Sequence, residues 1–147
     1  MKTTEKGDIG VIKIMDNLII QGINVFMPFS ANLPFDIVAY TNNKFYRIQV
    51  KYRKMEIRTA IQIYVDKSSI CNNHISRKKY TENDFDILAV YCPDNNECYF
   101  IPKNIFDSRT ITLRMTPPKN NQKTKIKYAS DFMNFNNSIL QLTTENI

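Results

Sequence analysis

Apolar residues recur at helical spacing near the start of the chain, from about Lys6 to Gln21. The repeat is carried by Ile9, Ile12, Met15 and Ile19. Gly22 follows directly, and glycine is the residue that most often ends a helix because it adopts the left-handed conformation without strain. The pattern therefore predicts a first helix that stops before Gly22.

Three short segments rich in β-branched and aromatic residues come next, and polar turn residues separate them. They span Ile23 to Phe29, Phe35 to Tyr40 and Phe45 to Arg53. This composition predicts a meander of three strands. Ala60 to Val65 alternates between apolar and polar residues, which predicts an edge strand or an extension of the same sheet.

The alternation is lost between Asp66 and Asn83, where polar and basic residues predict a surface loop or a short irregular helix. Phe85 to Cys92 is again strongly apolar. The turn-forming residues Pro93 to Asn96 join it to Glu97 to Ile101, so this region predicts a buried hairpin.

The remaining part of the chain predicts one strand, one loop and one terminal segment. Ile111 to Met115 is the strand, and Lys119 to Lys127 is an exposed flexible loop. Ser130 to Leu142 has a weak amphipathic pattern, which suits a helix, an oligomer contact, or packing onto the chain's own core. With 147 residues and no repeat, residues 1–147 predict a single α+β domain, with a possible oligomerisation segment from about residue 128.

Charge and composition indicate what kind of molecule the protein binds and in which compartment of the cell it is expected. The formal net charge of +6 and a pI near 9.2 favour an anionic partner. Charged residues interrupt every apolar run near the N-terminus, so neither a secretory signal nor a membrane span is expected, and the predicted location is cytoplasmic. Three cysteines without an export signal indicate reduced thiols.

The residues with the clearest chemistry are Asp36, in Pro34-Phe35-Asp36, and two residues of Gln49-Val50-Lys51. Because strand side chains alternate, Gln49 and Lys51 share one face of the predicted third strand. If the strand after Asp36 pairs antiparallel with that strand, Asp36 lies near Gln49. All three side chains then converge on one patch of sheet.

Such a patch suits hydrolysis of a phosphodiester. A divalent cation stabilises the negative charge that gathers on the phosphate oxygens. Mg²⁺ or Mn²⁺ prefers oxygen ligands, which Asp36, the side-chain carbonyl of Gln49 and the backbone carbonyl of Val50 would supply. Lys51 would hold the attacking water or the scissile phosphate. From the residues alone the ordinary interpretation is favoured, with Asp36 as an exposed strand cap and Lys51 with Arg53 as a solvated face.

Pro34-Phe35-Asp36 followed by Gln49-Val50-Lys51 resembles the signature of the PD-(D/E)XK nucleases, and most closely that of the small homing endonucleases encoded in group I introns of cyanobacteria. The opening Lys6 to Gly10 and the stretch Asp84 to Tyr91 are also similar. The resemblance covers most of Lys6 to Pro102. It implies a restriction-endonuclease-like core, metal-dependent cleavage of double-stranded DNA, intron homing, and a homodimer or homotetramer.

Two positions depart from the family pattern. Gln49 stands where the second acid of the signature is expected, and a neutral amide binds a cation more weakly. Val11 stands where related proteins usually carry a glutamate in the first helix, and a valine cannot bind metal. Either Asp8 or Glu5 replaces that acid, or this copy is naturally weak, or Val11 is an inactivating change.

Basic and polar residues around this patch are predicted to contact DNA, through the phosphates or through base edges in the major groove. They are Ser30, Asn32, Arg47, Arg53, Lys54, Arg58, Gln62, Arg77, Lys78, Lys79, Arg114 and Lys123. A solvated surface is the ordinary alternative for any one of them.

Two rival interpretations of the function stay open. The chain could be a DNA-binding module that has lost cleavage, or a restriction or junction-resolving enzyme on the same scaffold. Cys71, His74, Cys92 and Cys98 could form a zinc site on paper. Their spacing does not fit the usual pattern, so no zinc is expected.

Overall fold

The computed structural model describes residues 1–56, 59–71, 74–81, 83–106 and 109–143. Helix α1 (Thr3–Ile20) opens the chain. It ends as predicted, because Gly22 has a φ of +78° and the amides of Gly22 and Ile23 donate to Ile19 O and Leu18 O. The predicted helix was thus correct in kind and three residues late at its start.

The strands and the second helix follow in the order β1 (Asn24–Phe26), β2 (Ile37–Thr41), β3 (Lys44–Tyr52), β4 (Ala60–Tyr64), β5 (Asp66–Cys71), β6 (His74–Lys79), β7 (Ile87–Cys92), β8 (Glu97–Pro102), β9 (Thr110–Arg114), β10 (Lys127–Tyr128) and α2 (Phe135–Thr143). Short 3-10 turns at Lys103–Ile105 and Ala129–Phe132 precede β9 and α2.

Five strands form the central sheet in the order β1-β2-β3-β7-β8. The predicted meander forms three of its strands, β1 to β3, and β3 then pairs in parallel with β7, so the sheet is mixed. Asn42 and Asn43 connect β2 to β3 with φ values of 52° and 59°. Both values are positive, as a two-residue hairpin turn of the I′ type requires, and asparagine tolerates that conformation. This tight turn fixes the register that pairs Ile37 with Ile48.

The core lies on both faces of this sheet. Ile48 and Val50 of β3 pack with Ile14 and Leu18 of α1 in one apolar cluster. Leu88 and Val90 of β7 belong to a second cluster on the opposite face, and every residue of β7 is buried. A central parallel strand covered on both faces is expected to be continuously apolar, as this one is.

One of the two alternatives predicted for Ala60 to Val65 is confirmed and the other is wrong. Ala60–Tyr64 is an edge strand, but it lies at the edge of a separate sheet ordered β10-β9-β4 and does not extend the central sheet. The stretch after Asp66 is not a loop or an irregular helix, since Asp66–Cys71 and His74–Lys79 pair antiparallel in a two-stranded ribbon. The sequence of this stretch lacks the apolar alternation by which strands are recognised, so the ribbon is evident only from the pairing of its backbone.

The C-terminal segment packs onto the chain's own core. Phe132, Phe135 and Ile139 are each at most 5% exposed, whereas Leu140 is 60% exposed. Of the interpretations left open for this segment, the structure favours self-packing through its apolar stripe. In the part of the chain described, neither helix has the length and apolar character needed to cross a membrane.

Candidate active site

Asp36 is attached to the neighbouring strand β3 by both its backbone and its side chain. Its amide donates to Ile48 O over 2.8 Å. Its Oδ2 accepts hydrogen bonds from the Val50 amide over 2.8 Å and from Gln49 Nε2 over 2.7 Å. The carboxylate therefore lies beside Gln49, as the predicted pairing of β2 and β3 requires.

The amide nitrogen of Gln49 also donates to Val50 O over 3.2 Å. It thus bridges the Asp36 carboxylate and the backbone carbonyl of Val50. These are two of the three oxygen donors predicted for a cation, and Gln49 Oε1 is the third. All three are hard oxygen ligands, and a rotation of the Gln49 side-chain amide would direct its oxygen where its nitrogen now lies, so the donor set fits Mg²⁺ or Mn²⁺.

Lys51 is half-buried on the same face of β3 as Gln49. Burial lowers the pKa of Lys51, the charge of Arg53 lowers it further, and the carboxylates of Asp36 and Asp66 act in the opposite direction. Burial also raises the pKa of Asp36, although the Val50 amide and the Lys51 charge oppose this shift. The two groups perturb each other, as expected for a compact polar site in an apolar setting.

Helix α1 lies close to this site. A Cβ atom at Gly10 would lie 3.4 Å from Val50 Cγ1, so the helix packs directly on β3. Its next residue, Val11, lines a groove of about 530 Å³ together with Asp8, Ser30 and Asp36. A glutamate at position 11 would extend into the same groove as Asp36.

The two acids considered as substitutes for Val11 differ in position. Glu5 Oε2 accepts a hydrogen bond from the Lys2 amide over 2.8 Å, which closes the first turn of α1. Asp8 is exposed and lines the groove with Asp36. Of these two acids, only Asp8 lines the same groove as Asp36.

Arg47, predicted to contact DNA, is engaged within the protein. Its Nη2 lies 2.9 Å from Asp86 Oδ1, its Nε and backbone amide donate to Asp86 Oδ2, and its Nη1 donates to Asn83 O. Lys103 Nζ lies 3.5 Å from the same carboxylate. This network gives Arg47 a structural role that joins β3 to the start of β7.

Arg53, Lys54, Gln62 and Arg114 occupy different environments. The Arg53 guanidinium lies 5.8 Å from the centre of the Tyr64 ring, and its Nε is buried without a hydrogen-bond partner among the described residues. Lys54 is exposed just after β3. Gln62 and Arg114 point away from the core on the outer face of the β10-β9-β4 sheet, since Ile61, Ile63 and Leu113 fill the inner face.

The other predicted DNA contacts are dispersed. Ser30 and Asn32 lie in the connection from β1 to β2, where the Asn32 amide donates to Ser30 Oγ over 3.3 Å. Lys123 lies in the exposed segment between β9 and β10. Arg77, Lys78 and Lys79 belong to β6 of the ribbon, and Arg58 lies outside the described residues.

Two residues near Lys51 were missed by the sequence reasoning. The ring of Tyr80 faces the Lys51 ammonium at 5.4 Å from its centroid. Asp66 is close enough to act on the pKa of Lys51. Asp66 is the first residue of the ribbon that was predicted as a loop, and Tyr80 follows its last residue, so the strand pairing of the ribbon brings the two together.

Cys92 and Cys98 do not lie together, and the side chains of the other two candidate zinc ligands, Cys71 and His74, lie outside the part of the chain that the structure describes. Cys92 belongs to the apolar cluster on one face of the central sheet and Cys98 to the cluster on the other, so the two thiols cannot share an ion. Among the described residues, no three His, Cys, Asp or Glu side chains come together. A cation site in this region therefore depends on amide and carbonyl oxygens beside Asp36.

Comparison with known families decides the class of the protein. The profile of the PD-(D/E)XK endonuclease family matches residues 1–135. The chain belongs to the PD-(D/E)XK endonuclease family. The resemblance seen in the sequence is thereby confirmed, and with it the class of nuclease acting on DNA. Endonucleases of this family typically use divalent metal ions.

The fold of this PD-(D/E)XK endonuclease is also seen in a solved structure. A bacterial homing endonuclease, I-Ssp6803I, superposes with a TM-score of 0.78 over 99% of this chain and 98% of that chain, at 22% identity. This likeness confirms the predicted α+β, restriction-endonuclease-like fold. No curated protein matches this PD-(D/E)XK endonuclease in sequence.

Proposed function

We propose that this chain is a site-specific homing endonuclease that hydrolyses phosphodiester bonds of double-stranded DNA with Mg²⁺ or Mn²⁺ and so promotes intron mobility. The observation that carries the proposal is the convergence of Asp36 Oδ2, the Gln49 amide and Val50 O within 3.2 Å contacts, beside Lys51 on the same face of β3. The fold shared with a bacterial homing endonuclease supports the homing role.

Each residue has a role that follows from its chemistry. Asp36, Gln49 and Val50 would hold the cation through oxygen atoms. A bound cation would supply Lewis-acid stabilisation of the charge that develops on the phosphate. Lys51 would place a positive charge beside the scissile phosphate and orient the attacking water. The half-buried setting strengthens these interactions because the local dielectric is lower than in water.

DNA would be bound by positive charge around this site. Lys54 lies exposed at the end of β3, and the ribbon carries Lys67, Arg77, Lys78 and Lys79 in its sequence. A two-stranded ribbon has the width of the major groove, so this element is suited to enter it. Phosphate contacts of this kind supply most of the affinity and make it sensitive to salt.

A second copy of the chain is part of this proposal. Cutting both strands of a duplex takes two catalytic centres, and the chain supplies one. A homodimer or homotetramer would read a roughly two-fold target. Light scattering of the protein alone and with a duplex would measure the assembly.

The experiment that tests the function uses purified protein, a library of randomised duplexes and a duplex carrying an intron-insertion site. Cleavage is followed by sequencing new DNA ends in Mg²⁺ and in EDTA. We expect ends at one defined sequence in Mg²⁺ only, and no ends with Lys51→Ala. Equal cleavage by Lys51→Ala would remove Lys51 from the mechanism, and the absence of ends in Mg²⁺ would contradict the nuclease role.

A DNA-binding module with weak or absent cleavage is the second candidate. It is favoured by Val11, which lines the groove beside Asp36 where an acid would serve. Specific binding to a duplex without metal-dependent nicking would support it.

A further inference from the structure

The β5–β6 ribbon begins and ends beside Lys51. Asp66, its first residue, acts on the pKa of Lys51, and Asp66 pairs with Lys79 at the base of the ribbon. Tyr80 comes directly after the last ribbon residue, and its ring lies 5.4 Å from Lys51 Nζ. A cation within about 6 Å of an aromatic centroid is attracted by the negative face of the ring.

The ring of Tyr80 is held from behind by the core. It meets Phe85 edge to face, with centroids 5.0 Å apart, and Phe85 in turn contacts Phe106 at 6.0 Å. Phe85 is 2% exposed. The ring is therefore a fixed surface, whereas the lysine that faces it has four rotatable side-chain bonds.

A lysine without such a surface would have other partners. The carboxylates of Asp36 and Asp66 both act on Lys51, from positions before β2 and at the start of β5. A close ion pair with Asp36 would engage the carboxylate proposed to hold the cation. The Tyr80 ring offers the ammonium a third position that leaves the carboxylate available.

We propose that Tyr80 is a positioning residue that holds the Lys51 ammonium on the catalytic face through the face of its ring. The proposal rests on the proposed function of Lys51. Because Tyr80 directly follows β6, the proposal also makes the geometry of the active site depend on the position of the ribbon. The proposal assigns this role to the face of the ring, which phenylalanine keeps, so phenylalanine is the conservative replacement.

The test compares Tyr80→Phe, Tyr80→Leu and Tyr80→Met in single-turnover cleavage of a saturating duplex. A cation–π contact in a partly desolvated setting predicts a rate about tenfold lower for the two variants without a ring. Tyr80→Phe should cleave at nearly the wild-type rate. DNA affinity measured in Ca²⁺, without cleavage, should be the same for all three variants.

Tyr46→Leu is the matched control. Tyr46 is also half-buried, and its ring packs edge to face on Phe135 with the two centroids 6.0 Å apart. Unlike Lys51, it lies on the opposite face of β3. It should lose thermal stability as Tyr80→Leu does and keep the cleavage rate. A second measurement needs no DNA: the ring current of residue 80 should shift the Lys51 Hε resonances in wild type and Tyr80→Phe, and not in the two ring-free variants.

The outcomes separate the two proposals. If wild type cleaves and Lys51→Ala does not, a Tyr80→Leu rate equal to wild type overturns the role of Tyr80 alone. A rate equally low in Tyr80→Phe and Tyr80→Leu also overturns it, because the ring would not be the active feature. If wild type cleaves no duplex, the proposed function and this inference fall together.

Discussion

The side-chain amide of Gln49 donates a hydrogen bond to Asp36 Oδ2 over 2.7 Å, in the position that a cation shared by the two side chains would take. The same nitrogen reaches Val50 O. Coordination of a cation through Gln49 Oε1 therefore requires the amide to rotate and to give up both hydrogen bonds. This cost, together with the missing charge, makes the metal affinity of the site sensitive to residue 49.

Gln49→Glu should strengthen binding of Mn²⁺ by roughly tenfold or more, because it adds a full negative charge next to the ion. The metal-free variant should be less stable than wild type, since two carboxylates would then face each other without the bridging amide. Calorimetric titration with Mn²⁺ measures the affinity, and thermal unfolding in EDTA measures the stability. Gln49→Met, which has similar length and no charge, is the control and should bind more weakly than wild type.

Asp36→Asn should stabilise the metal-free protein at neutral pH. The folded state raises the pKa of Asp36, mainly through burial, so the contribution of this group to stability declines as pH rises through that raised value. An asparagine keeps an oxygen to accept from the Val50 and Gln49 amides and removes the buried charge. Cation binding and cleavage should be lost at the same time.

The pH dependence checks this assignment. The gain in melting temperature from Asp36→Asn should shrink as pH falls from the raised folded pKa toward the ordinary value of 3.8, below which the carboxyl group is protonated in both states. Saturating Mn²⁺ should raise the melting temperature of wild type and leave that of the variant unchanged. A variant less stable than wild type at neutral pH in EDTA would contradict the claim.

Much of the site was predictable because it rests on local rules. The Asn42-Asn43 turn fixes the register of β2 and β3, and the alternation along β3 then places Gln49 and Lys51 together. The two-stranded ribbon escaped prediction because Ile70 and Ile75 are the only aliphatic residues between Asp66 and Lys79. The sequence does contain a second Asn-Asn pair, at positions 72 and 73, and such a pair between two segments is typical of a hairpin.

The contacts of Tyr80 and Arg47 were not predictable for a different reason. Each contact joins two elements that are far apart in the chain; Arg47 and Asp86, for example, are separated by 39 positions. Such contacts follow from the parallel pairing of β3 with β7, which no local pattern reveals. In the sequence alone, a basic residue in a strand such as Arg47 is easily taken for a DNA contact, because its partner within the protein is not evident.

Val11→Glu should raise Mg²⁺-dependent cleavage if this position supplies the acid that related proteins carry. The new carboxylate would enter the groove that Val11 lines with Asp8 and Asp36. Val11 also packs against the core, so some stability should be lost. Val11→Gln has the same length and no charge, and it should lose the same stability without the gain in rate. Equal rates for wild type and Val11→Glu would argue against this assignment.

The ion pair of Arg47 with Asp86 predicts a structural effect where a DNA effect was expected. Arg47→Ala should destabilise the protein by about 1–3 kcal/mol, because it removes the guanidinium hydrogen bonds from the half-buried Asp86 carboxylate. Burial alone raises the pKa of Asp86, but the bonds from Arg47 outweigh this and hold it below 3.8. The stability from this pair is therefore fully present above the ordinary value and is lost as pH falls through the lower folded value.

Lys54→Ala is the matched comparison for Arg47→Ala, because Lys54 is exposed just after the same strand. It should weaken DNA binding, reduce the salt dependence of the affinity by about one ion, and leave the melting temperature unchanged. Arg47→Ala should show the opposite pattern at neutral pH, with its loss of stability fading below pH 3.8 as Asp86 becomes protonated. Because each variant removes one positive charge from the same region, a difference between them isolates the ion pair from the general charge of the surface. An Arg47→Ala protein that melts like wild type but binds DNA weakly would return Arg47 to the DNA interface.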